Sequence, residues 1–205
     1  ANITASTGID AMVHAIEAFT SINSNNNPVS KMLSIEALKL LGSSIKTAVF
    51  DGHNINARSN MLLGSMLAGK AFANSPVAAV HALAYPIGGL FNISHGLSNS
   101  LVLTSVMKFN SKNEETKKNY AHLAPYVFKN LDSSKNDEFL CNNFIDGLER
   151  LCKELSLPYR LRDLEIPEEA CKLMASEAMK QTRLLVNNPR KIEESDAYNI
   201  YKSVW

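Results

Sequence analysis

Five histidines punctuate the chain, at His14, His53, His81, His95 and His122, and three of them stand among apolar neighbours where an imidazole is unusual. Asp10 lies four residues before His14, and on a helix that spacing puts both side chains on one face, with Cβ atoms about 5–6 Å apart. Two ligands so placed can share one ion. His81 sits in Val80-His81-Ala82-Leu83-Ala84, and His95 in Ser94-His95-Gly96. One carboxylate and three imidazoles form a donor set suited to iron, zinc, nickel or copper. Each residue also has a plainer reading. Asp10 is the acidic member of a capping box, Asp10 and His14 are an ion pair, or His81 is a core histidine bonded to a carbonyl. His53, beside Asp51-Gly52, reads as a loop residue, and His122 as a solvated residue of a charged helix, so neither is assigned a function.

The elements that must position these residues read as helices. Thr7-Gly8-Ile9-Asp10 has the form of a capping box, so the first helix is expected to start near Thr7, with Ile9, Met12, Val13 and Ile16 as its apolar stripe. The polar run Ser21 to Pro28 ends it, because Asn and Pro favour turns. A second helix is expected over Val29 to Val49, and a third from Ile55, rich in the small residues Gly64, Ala68, Gly69, Ala71 and Ala73. A fourth spans Pro76 to Ala84 and should kink or stop near Tyr85, since the residue before Pro86 is pushed away from helical angles. Gly88-Gly89 then turns the chain and folds His95 back towards His81. Leu101 to Val106 has the length of a buried strand but is assigned to a helix, because nothing nearby offers a partner strand. Further helices are expected over Lys112 to Phe128, Glu138 to Leu155, Pro167 to Leu185 and Glu193 to Val204. The fold class that follows is all-α, a bundle of about eight helices.

Composition narrows the partners. Basic and acidic residues nearly cancel, 21 against 20, so no global field draws the chain to nucleic acid or an anionic membrane. No apolar run reaches membrane-spanning length, and no signal sequence opens the chain, so a cytoplasmic location is expected. Cys141, Cys152 and Cys171 form no CxxC pair and read as buried, reduced thiols. The opening at Ala1 rather than Met suggests a piece of a longer protein.

Thr7-Gly8-Ile9-Asp10-Ala11-Met12-Val13-His14-Ala15-Ile16-Glu17-Ala18 resembles the first metal motif of the iron-containing alcohol dehydrogenase family. Val80-His81-Ala82-Leu83-Ala84-Tyr85-Pro86-Ile87-Gly88-Gly89 is similar to the second, and Asn92-Ile93-Ser94-His95-Gly96-Leu97-Ser98-Asn99-Ser100 to the third. The resemblance implies a dehydroquinate synthase-like C-terminal domain over residues 1–205, with metal ligands at Asp10, His14, His81 and His95. It implies Fe(II), with Zn as the alternative, and NAD or NADP in the intact enzyme. The substrate would be a small alcohol or aldehyde. Tyr85 matches a position near the nicotinamide, where its hydroxyl either orients cofactor, relays a proton or only packs. Phe72 resembles a pocket-lining residue and reads equally as a core aromatic.

The family's Gly-rich pyrophosphate loop is not found here. The expected partner is therefore an N-terminal dinucleotide-binding domain, no cofactor-binding residue is assigned, and a homo-oligomer stays open. The chain is expected to fold by itself without catalysing alcohol oxidation, and to hold its metal weakly. Alternatives are a zinc-dependent glycerol dehydrogenase, a dehydroquinate synthase-like metal enzyme, or a non-catalytic helical module.

Overall fold

Helical periodicity without strand signals yields a structure of helices alone. A computed structural model describes residues 1–205 as ten α-helices: α1 (Asn2–Thr20), α2 (Pro28–Phe50), α3 (Ile55–Asn74), α4 (Ala79–Phe91), α5 (His95–Asn110), α6 (Glu114–Val127), α7 (Asp137–Glu154), α8 (Ala170–Met179), α9 (Thr182–Leu185) and α10 (Glu194–Ser203). A single 3-10 turn, Leu161–Leu164, separates α7 from α8. Residues Leu101 to Val106 lie inside α5, as the lack of a partner strand requires. No helix is long and apolar enough to cross a membrane.

Asparagine starts four of the helices. Asn27 accepts from the backbone N–H groups of Val29 and Ser30, with Pro28 at the first helical position, where its missing N–H loses nothing. Asn54, Asn113 and Asn136 cap α3, α6 and α7 in the same way. Each such cap supplies an acceptor to a backbone donor that the helix itself cannot satisfy.

α1 is the central element. It packs against α2, α3 and α5, and Ile9, Met12, Val13, Ala15 and Ile16 are all buried. One contiguous apolar cluster of 53 residues runs from Ala5 to Val204, so both halves of the chain share a core. The three cysteines lie within it as free thiols. Burial raises the Cys141 thiol to about 11 and that of Cys152 to about 12, which keeps them protonated and unreactive.

Three local expectations are overturned. α1 starts at Asn2, five residues early, and no capping box forms at Thr7, whose hydroxyl donates to the Ile3 carbonyl instead. α4 does not stop at Tyr85 but continues through Pro86 and through Gly88 and Gly89 to Phe91. Burial of the segment from Ala79 to Ala84, with Pro86 and Ile87, outweighs the local preference of the pre-proline residue. The Tyr201 hydroxyl donates to the Leu83 carbonyl at 2.6 Å, next to the Ala82 carbonyl that Pro86 leaves without its usual helical donor. The chain reverses at Asn92 instead, in the left-handed conformation (φ 55°, ψ 32°) that Asn tolerates.

The third expectation was one helix from Pro167 to Leu185. Pro167 to Glu169 form a turn before α8, and the segment then breaks at Gln181 into α8 and α9. Asn187 directs the chain just beyond, donating to the carbonyls of Val77 and Arg183 and accepting at its own carbonyl from Ile22.

The first turn of α5 lies directly on the backbone of α1. A Cβ at Gly96 would run into the Ser6 carbonyl group and lie 3.2 Å from the Thr7 nitrogen. These obstacles are backbone atoms and cannot rotate away. Gly96→Ala is therefore expected to destabilise the protein by about 1–3 kcal/mol, the usual range for overpacking. Urea denaturation measures it, and an unchanged midpoint would contradict the close approach.

Candidate metal centre

Three helices deliver the four polar side chains singled out by type and spacing. Asp10 and His14 come from one face of α1, His81 from the first turn of α4, and His95 from the first residue of α5. One potential ligand atom from each lies within 4.8 Å of all the others. Nε2 of His81 is 3.1 Å from Nε2 of His14. Oδ1 of Asp10 is 3.8 Å from Nε2 of His81 and 3.6 Å from Nε2 of His95. Nδ1 of His14 is 4.0 Å from Oδ2 of Asp10. Ligands about 2.0–2.2 Å from one ion lie roughly 3–3.5 Å apart, so the arrangement is close to a shared coordination sphere.

Burial is graded across the cluster. His81 is buried, Asp10 and His14 are half-buried, and the His95 side chain is 46% exposed. His95 thus forms the solvent-facing rim. Burial, and next to it the neighbouring His81, lowers the pKa of His14 to about 4. That holds the imidazole neutral, the form that offers a lone pair to a metal.

The two aromatic candidates flank the cluster. Phe72, on α3, stacks on the His14 ring with centroids 4.5 Å apart and planes 21° from parallel. Tyr85, 36% exposed on α4, has its ring 6.0 Å from that of His95. His53 and His122 stand apart and exposed, and His122 stacks on Phe19. A surface groove of about 690 Å³ between α8 and α10 is lined by Glu168, Lys172, Tyr198 and Lys202 among others and includes none of the cluster.

Two residues of the site escaped the sequence reading. Glu17 is buried and lies 2.6 Å from Nδ1 of His81 through its Oε2. Asn99 is fully buried, donates from Nδ2 to Oδ1 of Asp10 at 2.6 Å, and holds the same nitrogen 3.2 Å from Nε2 of His95. The carboxylate claims the N–H side of the amide and leaves Asn99 Oδ1 buried without a partner. Helical spacing carried a signal for both. Asp10, His14 and Glu17 fall at i, i+4 and i+7, and His95 and Asn99 at i and i+4.

Comparison with known proteins shows the family. Residues 4–205 match the family model described as Fe-containing alcohol dehydrogenase family, C-terminal. The chain is 38% identical to long-chain-alcohol dehydrogenase 1 of Geobacillus thermodenitrificans over 99% of its own length and 50% of the relative's. It is 34% identical to a 1,3-propanediol dehydrogenase of Citrobacter freundii, covering all of this chain and 51% of that protein. Among solved structures, an alcohol dehydrogenase from Oenococcus oeni superposes with a TM-score of 0.92 at 32% identity, over 100% of this chain and 52% of that one. The chain therefore spans about half the length of the relatives it matches.

Asn99 offers a direct check on the site. Asn99→Asp replaces a donor with a second carboxylate against Asp10. In metal-free protein it should lower stability by about 1.5–3 kcal/mol, the range for hydrogen bonds to charged groups. Chemical denaturation in a chelating buffer reads it out, and stability equal to wild type would show that the bond to Asp10 is not made.

Proposed function

The chain belongs to the Fe-containing alcohol dehydrogenase family, and from that membership we propose that residues 1–205 are the metal-holding half of an oxidoreductase. In this reading Asp10, His14, His81 and His95 hold one divalent ion, Fe(II) in the native enzyme and Zn as its main substitute. The intact enzyme moves hydride between a small alcohol or aldehyde and NAD or NADP, with a dinucleotide-binding domain as the partner of this one. The single observation that carries the reading is the convergence of four ligand atoms from three helices.

The ion, when bound, supplies Lewis acidity towards an alcohol or carbonyl oxygen, and hydride transfer is the chemistry of the nicotinamide. The protein's own residues do the rest. Buried His81 and half-buried His14 and Asp10 form the floor, and exposed His95 leaves the approach on its side open. Phe72 fixes the plane of the His14 ring by stacking and presents an apolar surface beside it. We assign Phe72 to the substrate pocket for that reason. Tyr85 places a phenol next to His95, where its hydroxyl can donate to substrate or cofactor. We assign it the catalytic positioning of that partner.

Metal titration tests the site, and a turnover assay tests its dependence on a partner. Weakly held or not, the metal should saturate the purified protein at one equivalent when Zn(II) or, anaerobically, Fe(II) is titrated to excess. Replacing His81 or His14 with Ala should weaken uptake by more than the roughly 10–100-fold typical of residues that only support a ligand. Absence of stoichiometric uptake by wild type would overturn the ligand assignment. The 205-residue chain alone, loaded with Fe(II), should show neither micromolar NAD(H) or NADP(H) binding nor turnover of primary alcohols. Correct orientation of reactants is worth effective molarities on the order of 10⁵ M or more, and this chain has no pyrophosphate loop to supply it. Micromolar dinucleotide binding would show that a cofactor site lies within these residues.

A further inference from the structure

A carboxylate in an apolar interior needs a reason to be there. Glu17 is 4% exposed, and every hydrogen bond of its side chain runs to the start of α4. Its Oε1 accepts from the Val80 N–H at 2.6 Å, and its Oε2 accepts from the Ala78 N–H at 3.1 Å. The same Oε2 is 2.6 Å from Nδ1 of His81. α4 has no cap of its own, because Ala78 at its N-cap position carries no acceptor. α4 packs chiefly on α5 and α8, so Glu17 reaches across from α1 to do two jobs with one carboxylate.

We propose that Glu17 is a positioning residue that fixes the His81 imidazole in its Nδ1–H tautomer and aims the Nε2 lone pair into the cluster, while capping α4 in trans. The proposal rests on the metal reading above. The hydrogen-bond inventory points to the tautomer. A carboxylate that already accepts two backbone N–H bonds is an acceptor throughout, so Nδ1 is the donor in the third contact. A neutral imidazole carries one proton, so Nε2 is left with its lone pair free and 3.1 Å from Nε2 of His14. A carboxylate behind a ligating histidine also raises the ring's basicity and locks its orientation. Because His81 is in the first turn of α4, the two backbone bonds and the ring bond hold one rigid unit: helix start and ligand move together.

The proposal is separable from simple helix capping. Glu17→Gln keeps one oxygen to accept from α4 but introduces an NH₂ group. Facing Nδ1, that group makes Nδ1 an acceptor and moves the ring proton to Nε2, where it blocks the cluster. Long-range ¹⁵N–¹H correlation spectra of the histidine rings in metal-free protein read the tautomer directly. Competition of Zn(II) with a chelating dye reads affinity. Wild type should show Nδ1–H at His81. The variant should show Nε2–H and an affinity for Zn(II) about 10–100-fold lower, the range for outer partners of metal ligands.

Wild-type Nε2–H at His81 would overturn the proposal without any variant, so the test survives if Glu17→Gln fails to fold. A Glu17→Ala variant, which has no acceptor behind the ring in either orientation, that loses stability while keeping the wild-type tautomer and Zn(II) affinity would also overturn it, leaving Glu17 a cap only. Failure of wild type to take up zinc would sink the metal reading instead, and the tautomer spectra would still decide the role of Glu17.

Discussion

An imidazole has two ring nitrogens, and when it is buried each needs a partner. His81 meets that constraint with a carboxylate on one side and a cluster of ligand atoms on the other. Much of the first half of the fold follows from it. α1 must lie deep enough to bring Glu17 behind the ring and Asp10 and His14 in front of it. α4 must begin at Ala79 so that His81 sits in its first turn, where the free backbone donors also face Glu17. α5 must approach α1 closely enough at Gly96 for His95 to reach Asp10.

Polar and apolar forces divide the work along these helices. The apolar stripe of α1 and the shared core set the depth of the helices. The polar contacts set their rotation, since each ends on a named atom. Asn99 shows the limit of such designs. Its amide can serve the Asp10 carboxylate only by leaving its own oxygen buried and unmatched, a local loss that persists because the fold over-determines the position.

The helical class and the order of elements were legible in the sequence because they rest on periodicity, while the four candidate ligands stood out by residue type and spacing and were joined into one set by the family resemblance. Asp10 and His14 declare themselves by spacing, and His81 by standing in an apolar run. The helix over Leu101 to Val106 followed from the lack of a partner strand. What failed was local preference read as decisive. Thr7 looks like a cap and Pro86 like a stop, yet both are carried inside helices by tertiary packing. Gly88-Gly89 looks like a turn, but the reversal belongs to Asn92. Glu17 stayed hidden for a different reason. Its partners are 61 to 64 residues away, and nothing in a single helix reveals which other helix a side chain will cap.

The graded burial of the cluster also gives the site a direction. His81 is closed off behind by Glu17 and the core, while His95 stands at the surface on a helix that begins with it. Anything arriving from solvent meets His95 first and His81 last. The deepest of the four candidate ligands is the one whose Nδ1 meets a carboxylate from another helix, and the outermost is the one whose ring is least enclosed. The cluster therefore opens to solvent past a single half-exposed imidazole, like a latch on a door whose hinge is sunk in the frame.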